Sequence, residues 1–269
     1  MFTKVAYHIL QLKAKKNTKQ RSIKTAIFAY DDIGHLINLE GYYELKYLDL
    51  LRKFLDEKKI NNELFLDIGA NIGNHTLYFQ NYFDSIIGVE ASKETFELLK
   101  FNTKSFDNIK VINIGASSSR RKLKFKNNNF NVGASRIVED HMDYDFSINV
   151  DKLDNIIDSD RKVDLIKIDV EGHELEALMG GSGILQNSKP VVVFEQESTQ
   201  IKNGTSEVIK FLKSVGYQKF YAIQHKTDVT FIQNRYLKTI ANYLLRNKLV
   251  CVPVESFKKK LYNMIIAYH

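Results

Sequence analysis

The sequence predicts an α/β domain: a mostly parallel sheet with helices on both faces and an antiparallel hairpin at its C-terminal edge. Three observations carry this. Short apolar runs alternate with segments of helical period from residue 45 to residue 233. The first run closes on a glycine turn that opens into a helix. Later runs end in the acids Glu90, Asp169 and Glu195, at the strand ends where open parallel sheets place their ligands.

The elements follow in order. Residues 3–29 read as a basic helix, or helix and loop. Leu45, Leu48, Leu51 and Leu55 recur at helical spacing while Lys46, Asp49, Arg52 and Lys53 face away, which predicts an amphipathic helix over 45–55. Asn61-Asn62 ends it. Strands are expected at 64–68, 85–89, 110–114 and 123–126, with a helix at 93–102. A buried strand at 163–168 leads into a helix over 174–179, then a strand at 190–194 and a helix at 208–214. Residues 220–224 and 229–233 flank His225-Lys226-Thr227-Asp228 and read as the hairpin. The stretch 127–147 is the longest irregular segment: loops at strand ends commonly carry function, and a plain surface loop is the alternative reading.

Composition bounds the function. The 269 residues are 44% hydrophobic, enough for one large domain. Cys251 is the single cysteine, so neither an internal disulfide nor a cysteine metal cluster can form. The apolar start is short and leads into Lys13, Lys15 and Lys16 rather than a cleavage site. No run approaches the ~18 uninterrupted apolar residues of a membrane span. A cytoplasmic protein is expected. The net charge of +7 is uneven: residues 1–30 carry +7, residues 225–269 carry +6, and the middle carries −6. An acidic middle argues against a nucleic-acid partner. Basic ends suit peripheral contact with the inner face of a membrane, although solvated terminal helices are the plainer reading. An apolar stripe at Tyr236, Leu237, Ile240, Tyr243 and Leu244 suits a membrane surface, the protein's own core or a second subunit of a homo-oligomer. The expected division is a basic helical extension over 1–40, the α/β domain over 41–233, and a basic amphipathic extension over 234–269.

The glycine turn is Asp67-Ile68-Gly69-Ala70-Asn71-Ile72-Gly73. Gly69 and Gly73 would let the backbone approach a ligand closely. Asn71 tolerates a left-handed conformation, and backbone N–H groups opening the next helix would point at the ligand. Asp67 would repel a dinucleotide pyrophosphate but suits a ligand with an ammonium or sulfonium group. The second strand ends in Glu90, 23 residues after Asp67, where a carboxylate can accept both ribose hydroxyls. Ala91 and Ser92, and Gly115-Ala116-Ser117 after the third strand, offer small surfaces for a base. Adenosine with positive charge describes S-adenosylmethionine.

Asp164-Leu165-Ile166-Lys167-Ile168-Asp169-Val170-Glu171-Gly172-His173-Glu174 is the densest polar cluster. Strand alternation puts Lys167 and Asp169 on one face. Asp169 falls at a strand's carboxyl end, with Glu171 and His173 on the turn beyond it, and Glu195 closes the next strand. Methyl transfer to a hydroxyl needs a base within hydrogen-bond reach. Asp169 and His173 are the candidates, with Glu195 orienting either. Glu174 is placed to complement a helix dipole, and Lys167 to pair with an acid. Asp169, Glu171, His173 and Glu195 are chemically suited to a metal, but no tight ligand spacing is present and none is expected.

These stretches, with Gly88-Val89-Glu90-Ala91, Asn113 to Ser118 and Pro190 to Glu195, resemble the FkbM-type methyltransferases over roughly residues 41–233. The 167–174 segment is the most specific part. The resemblance implies the class I methyltransferase (Rossmann-like) fold, a seven-stranded mostly parallel sheet. It implies S-adenosylmethionine as methyl donor and O-methylation, often of a sugar hydroxyl on a surface glycan or its precursor. Carried over, Asp67, Gly69, Asn71, Gly73 and Glu90 would hold the cofactor, with Ala70 in the same loop. Ala116 would flank the adenine, and Asp169, Glu171, His173 and Glu195 would line the reaction site. The acceptor expected is a glycan or small molecule. A non-sugar natural product or lipid acceptor is the alternative within this reading. An NAD-dependent oxidoreductase or epimerase is disfavoured, because Asp67 precedes the glycines and the G-x-G-x-x-G spacing is absent. A binding protein that keeps a cofactor fold is the non-enzymatic alternative.

Overall fold

The computed structural model describes residues 2–20, 24–128, 133, 135–139, 141–157, 161–227, 234, 237 and 248–269. Three helices open the chain: α1 (Phe2–Gln20), α2 (Asp32–Glu40) and α3 (Leu45–Glu57). Then come β1 (Leu64–Ile68), α4 (Asn74–Tyr78), β2 (Ser85–Glu90), α5 (Lys93–Thr103) and β3 (Ile109–Asn113). A short insert follows, with β4 (Gly115–Ala116), β5 (Arg121–Lys126), β6 (Arg136–Val138) and β7 (Phe146–Asp151). The alternation resumes with α6 (Leu153–Ile156), β8 (Leu165–Ile168), α7 (Glu174–Gly180), α8 (Ser182–Ser188), β9 (Val191–Gln196) and α9 (Glu207–Ser214). The chain closes with β10 (Lys219–His225), β11 (Leu249–Pro253) and β12 (Tyr262–Tyr268).

The main sheet runs β11-β10-β12-β9-β8-β1-β2-β3. From β3 to β9 every pairing is parallel, and β12 is antiparallel to both its neighbours. Every residue of β1 and β8 is buried, as in a sheet covered on both faces. Strand alternation divides the core. Leu64, Leu66 and Ile68 point into the cluster beneath α7, α8 and α9, whereas Phe65 meets Leu48, Leu51, Phe54 and Leu55 of α3 on the other face. The four leucine and phenylalanine anchors of α3 lie on the face that the helical period predicts.

Several expectations are corrected. Among the described residues the main sheet has eight strands where seven were expected, because β11 adds an outer edge to β10. Among the described residues the antiparallel partners of β10 are β11 and β12; residues 229–233, the expected second strand of the hairpin, lie outside the described residues together with most of the stripe at 236–244. The segment expected as a C-terminal extension thus supplies two strands. Met264, Ile265, Ile266 and Ala267 of β12 are buried between β9 and β10. The run at 123–126 belongs to a second sheet, ordered β4-β7-β5-β6, and the stretch 127–147 contains β6 and the start of β7.

The N-terminal 40 residues are not uniformly an extension either. Ile33 and Ile37 of α2 pack on Ile72 of the glycine turn, and the Asn102 side chain bridges Ala26 to the Ile72 carbonyl. Only α1 stands away from the core, with Val5, Tyr7, Ile9, Leu10 and Leu12 exposed. Among the described residues no helix is long and apolar enough to cross a membrane.

Candidate active site

The turn after β1 takes the left-handed backbone at Gly69 (φ 73°), Asn71 (φ 52°) and Gly73 (φ 92°). A Cβ on Gly69 would stand 1.9 Å from the Asp169 carbonyl oxygen, and one on Gly73 would stand 2.9 Å from Leu99 Cδ1. At both glycines the close approach is within the protein, to the residue after β8 and to α5. The turn's N–H groups are also used within the protein. Gly69 and Ala70 donate to the Val89 carbonyl, Asn71 to Glu90 Oε2, Ile72 to Asn71 Oδ1 and Gly73 to the Ala70 carbonyl.

Asp67 is corrected from ligand contact to anchor. It is fully buried and lies outside the cleft. Its Oδ2 accepts the Thr76 N–H at 2.9 Å and the Thr76 hydroxyl at 2.6 Å, tying β1 to α4. Its Oδ1 has no hydrogen-bond partner and faces the Lys167 ammonium at 3.7 Å. Burial pushes the carboxyl up, against the pull of Lys167 and Thr76.

One cleft opens over the carboxyl ends of β1, β2, β8 and β9. Its first pole is the tip of β2. Glu90 is buried there, with Oε2 accepting the Asn71 N–H at 2.9 Å and Oε1 the Ser92 N–H at 2.8 Å. Beside it, Ala91, Ala116, Phe125, Ile137 and Ile148 wall an apolar slot. Phe125 and Ile148 come from the second sheet, so the insert after β3 builds half of this pole. Gly69, Ala70, Asn71 and Ser92 also line the cleft, whereas Gly73 does not.

The second pole gathers charge at the ends of β8 and β9. Lys167, buried, lies 3.2 Å from Asp169 Oδ2 and 3.3 Å from the Gly69 carbonyl. Burial pulls its pKa down, but Asp169 and Asp67 outweigh that and hold it above the ordinary lysine value, so it stays a cation. Glu171 (φ 45°) and Gly172 (φ 88°) make the left-handed turn into α7. Burial, then Asp169 and Glu174, push the Glu171 carboxyl up to about 7. Burial, then Asp169, Glu171 and Glu44, push Glu195 up to about 8. Carboxylates drawn together away from water resist ionising, and such perturbed groups in a cleft are candidates for proton transfer. His173 caps α7 and its Nε2 sits 3.1 Å from the Ser117 hydroxyl. Burial lowers its pKa, so the ring is neutral at pH 7. Glu174 lies outside the cleft and accepts the Gly172 N–H.

The cleft also holds residues the sequence reading passed over. Tyr43, from the segment before α3, and His75, from α4, line it. Glu44 stands behind them, its Oε1 accepting from Asn263 Nδ2 at 3.2 Å, and burial pushes it up to about 7. His75 is held well below the usual histidine range by burial and by Lys167. The alternation of Leu123 with Phe125, and of Ile148 with Val150, was a readable signal for the slot. Nothing in Gly41-Tyr42-Tyr43-Glu44 distinguishes it from a helix start. Among the described residues no group of three or more His, Cys, Asp and Glu is arranged to hold a metal ion.

Comparison with known proteins bears on this site. The family model described as Methyltransferase FkbM domain matches residues 67–219, more than half of the chain. A curated relative, Hexuronic acid methyltransferase AglP of Haloferax volcanii, is 28% identical over 148 residues, which make up 54% of this chain and 60% of that protein. Among solved structures, the methyltransferase FkbM of Methylobacillus flagellatus is similar at 17% identity and a TM-score of 0.47, covering 97% of this chain and 58% of that one. Aeropyrum pernix fibrillarin, solved with S-adenosylmethionine bound, is similar at 14% identity and a TM-score of 0.38, covering 77% of this chain and 67% of that one. The matched segment takes in the β1 turn, Glu90, the 167–174 cluster and Glu195, and by it this chain belongs to the FkbM methyltransferase family.

Proposed function

We propose that the protein transfers a methyl group from S-adenosylmethionine to a sugar hydroxyl, on a surface glycan or its precursor. The observation that carries this is the pairing of the two poles: Glu90 beside an apolar slot, and Asp169, Glu171 and Glu195 a short way along the same cleft. The slot suits an adenine. Glu90 still has a lone pair for a ribose hydroxyl, since a carboxylate offers about four acceptor sites and the backbone N–H groups of Asn71, Ser92 and Ala91 take three. The carboxylates suit the cofactor's positive charge. The donor set therefore fits the cofactor, with Glu90, Ala91, Ser92, Ala116 and Phe125 at the nucleoside and Asp169 toward the charged end.

When bound, S-adenosylmethionine supplies a methyl group on positive sulfur, already activated for displacement. The protein's task is to place the acceptor oxygen and to take its proton. Glu195 fits the proton acceptor best, because a base works best with a pKa near the working pH. Asp169 is committed to Lys167 and serves to hold charge in place. His173, neutral and bound to Ser117, is the second candidate. The sugar acceptor is supported by the relative named for a hexuronic acid.

Two measurements test this. Calorimetry is expected to show S-adenosylhomocysteine binding and no NAD binding. Incubation with methyl-labelled cofactor and a panel of hexosides and hexuronosides is expected to label at least one sugar. NAD binding without S-adenosylhomocysteine binding would overturn the cofactor reading, and label passing only to non-sugar acceptors would overturn the sugar reading.

A further inference from the structure

We propose that Tyr43 is the residue that seats the acceptor sugar, with its ring as the platform and its hydroxyl as a hydrogen-bond donor to the ring being methylated. This rests on the proposed function and deepens it, because it assigns an acceptor-binding side chain outside the segment 67–219 that the family model matches.

Position comes first. Tyr43 lines the cleft. The charged groups acting on its phenol are Glu44, Asp169, Glu195 and Glu171, which belong to the second pole. Geometry places the segment at that pole: the adjacent Glu44 is hydrogen-bonded to Asn263, and β12 pairs Tyr262 with Gln196, next to Glu195 at the end of β9. A tyrosine offers an apolar face, suited to the C–H face of a pyranose, and a polar tip. Carboxylates around it accept the remaining sugar hydroxyls.

Rigidity comes second. The Tyr43 N–H donates to Asn74 Oδ1 at 2.9 Å, and the Tyr43 carbonyl accepts from Asn74 Nδ2 at 3.0 Å. Asn74 opens α4 directly after the glycine turn, so this two-way clamp fixes Tyr43 relative to the cofactor loop. The next residue, Glu44, holds a left-handed backbone (φ 55°), which costs a non-glycine residue energy and persists only when its surroundings impose it. Here Asn263 of β12 holds the Glu44 side chain. The segment is thus pinned both to the cofactor loop and to the sheet, as an acceptor seat requires for alignment.

Availability comes third. The clamp uses only the Tyr43 backbone, and its hydroxyl makes no hydrogen bond with a described residue. Burial and the surrounding carboxylates push its ionisation above the ordinary tyrosine value, which keeps the proton on the oxygen as a donor.

The test is calorimetric titration of methyl hexopyranosides and methyl hexuronosides into the S-adenosylhomocysteine complexes of the wild type, Tyr43→Phe and Tyr43→Ala. Tyr43→Phe is expected to weaken sugar binding about fivefold to tenfold, the worth of one hydrogen bond. Tyr43→Ala is expected to weaken it further, while both variants bind S-adenosylhomocysteine within about twofold of the wild type. Should Tyr43→Ala fail to fold, Tyr43→Phe decides alone. Unchanged sugar affinity in Tyr43→Phe, or a loss of S-adenosylhomocysteine affinity with sugar binding intact, would overturn the assignment and leave the proposed function standing. A wild-type complex that binds no sugar on the panel would overturn the sugar seat and the sugar reading together.

Discussion

At Glu195, burial and the negative charges of Asp169, Glu171 and Glu44 all act against ionisation and push the carboxyl up to about 8. Two consequences follow from that single value. Methyl transfer is expected to rise with pH through the range below 8, because the base works only when deprotonated. Glu195→Gln is expected to lose about a hundredfold or more in kcat with S-adenosylhomocysteine affinity kept, as kinetics and calorimetry can check. Stability runs the other way. A carboxyl raised in the fold contributes stability that is fully present below the ordinary glutamate range and is lost as pH rises through the folded value. The ligand-free Glu195→Gln variant is therefore expected to melt above the wild type at pH 8 and level with it at pH 4; a wild type that melts higher at pH 8 would contradict the assignment. Gly69 makes a separate prediction. A Cβ there would meet a backbone oxygen at 1.9 Å in a left-handed residue, and backbone cannot step aside as a flexible side chain can. Gly69→Ala is expected to destabilise by more than about 2 kcal/mol, read from the denaturant midpoint. A smaller change would mean that the turn can move away from β8.

Among the elements, the strands differ in how they were legible. Residues 64–68 and 165–168 could be read because each is a short apolar run next to a distinctive turn. The run at 264–267 is as apolar, but it falls in the part of the chain expected as a basic amphipathic extension, and no turn or crossover pattern marks it. Its strand identity comes from the gap between β9 and β10 that it fills. Likewise β5 looked like a member of the main sheet, since one short strand reads the same whichever sheet it joins. A chain cut after residue 233, at the boundary the sequence suggests, loses β11 and β12 and exposes the facing edges of β9 and β10. Such unpaired edges aggregate. This truncation is expected to be insoluble or to melt without cooperativity, whereas a soluble, cooperatively folding product would show that β12 is dispensable.

For the whole molecule, the cleft lies between two bodies of structure. The main sheet supplies Glu90, Asp169 and Glu195, and the insert supplies Phe125, Ile137 and Ile148. A ligand held by both stabilises the native state by mass action, about 2.7 kcal/mol at a hundredfold excess over its Kd. Hydrogen exchange is expected to slow in β5 and β7 as well as at the end of β2 when S-adenosylhomocysteine binds. Protection confined to the main sheet would remove the insert from the site.

The sequence by itself determined the α/β class, the order of β1, β2, β8 and β9, and the acids at their tips, because period and turn chemistry are local properties. It also brought Glu90, Asp169, Glu171, His173 and Glu195 to one cleft, since parallel strands share a carboxyl end. It did not determine what each residue touches. Asp67 had the right charge for a cofactor contact but turns inward to Thr76 and Lys167. The turn glycines make room for the Asp169 carbonyl and for Leu99, contacts that no local pattern announces. Tyr43 and Glu44 reach the site through Asn74 and Asn263, 31 and 219 residues away along the chain. Side-chain direction, burial and long-range pairing are set only when the sheet closes, and the closing strand of this sheet is the last one in the chain.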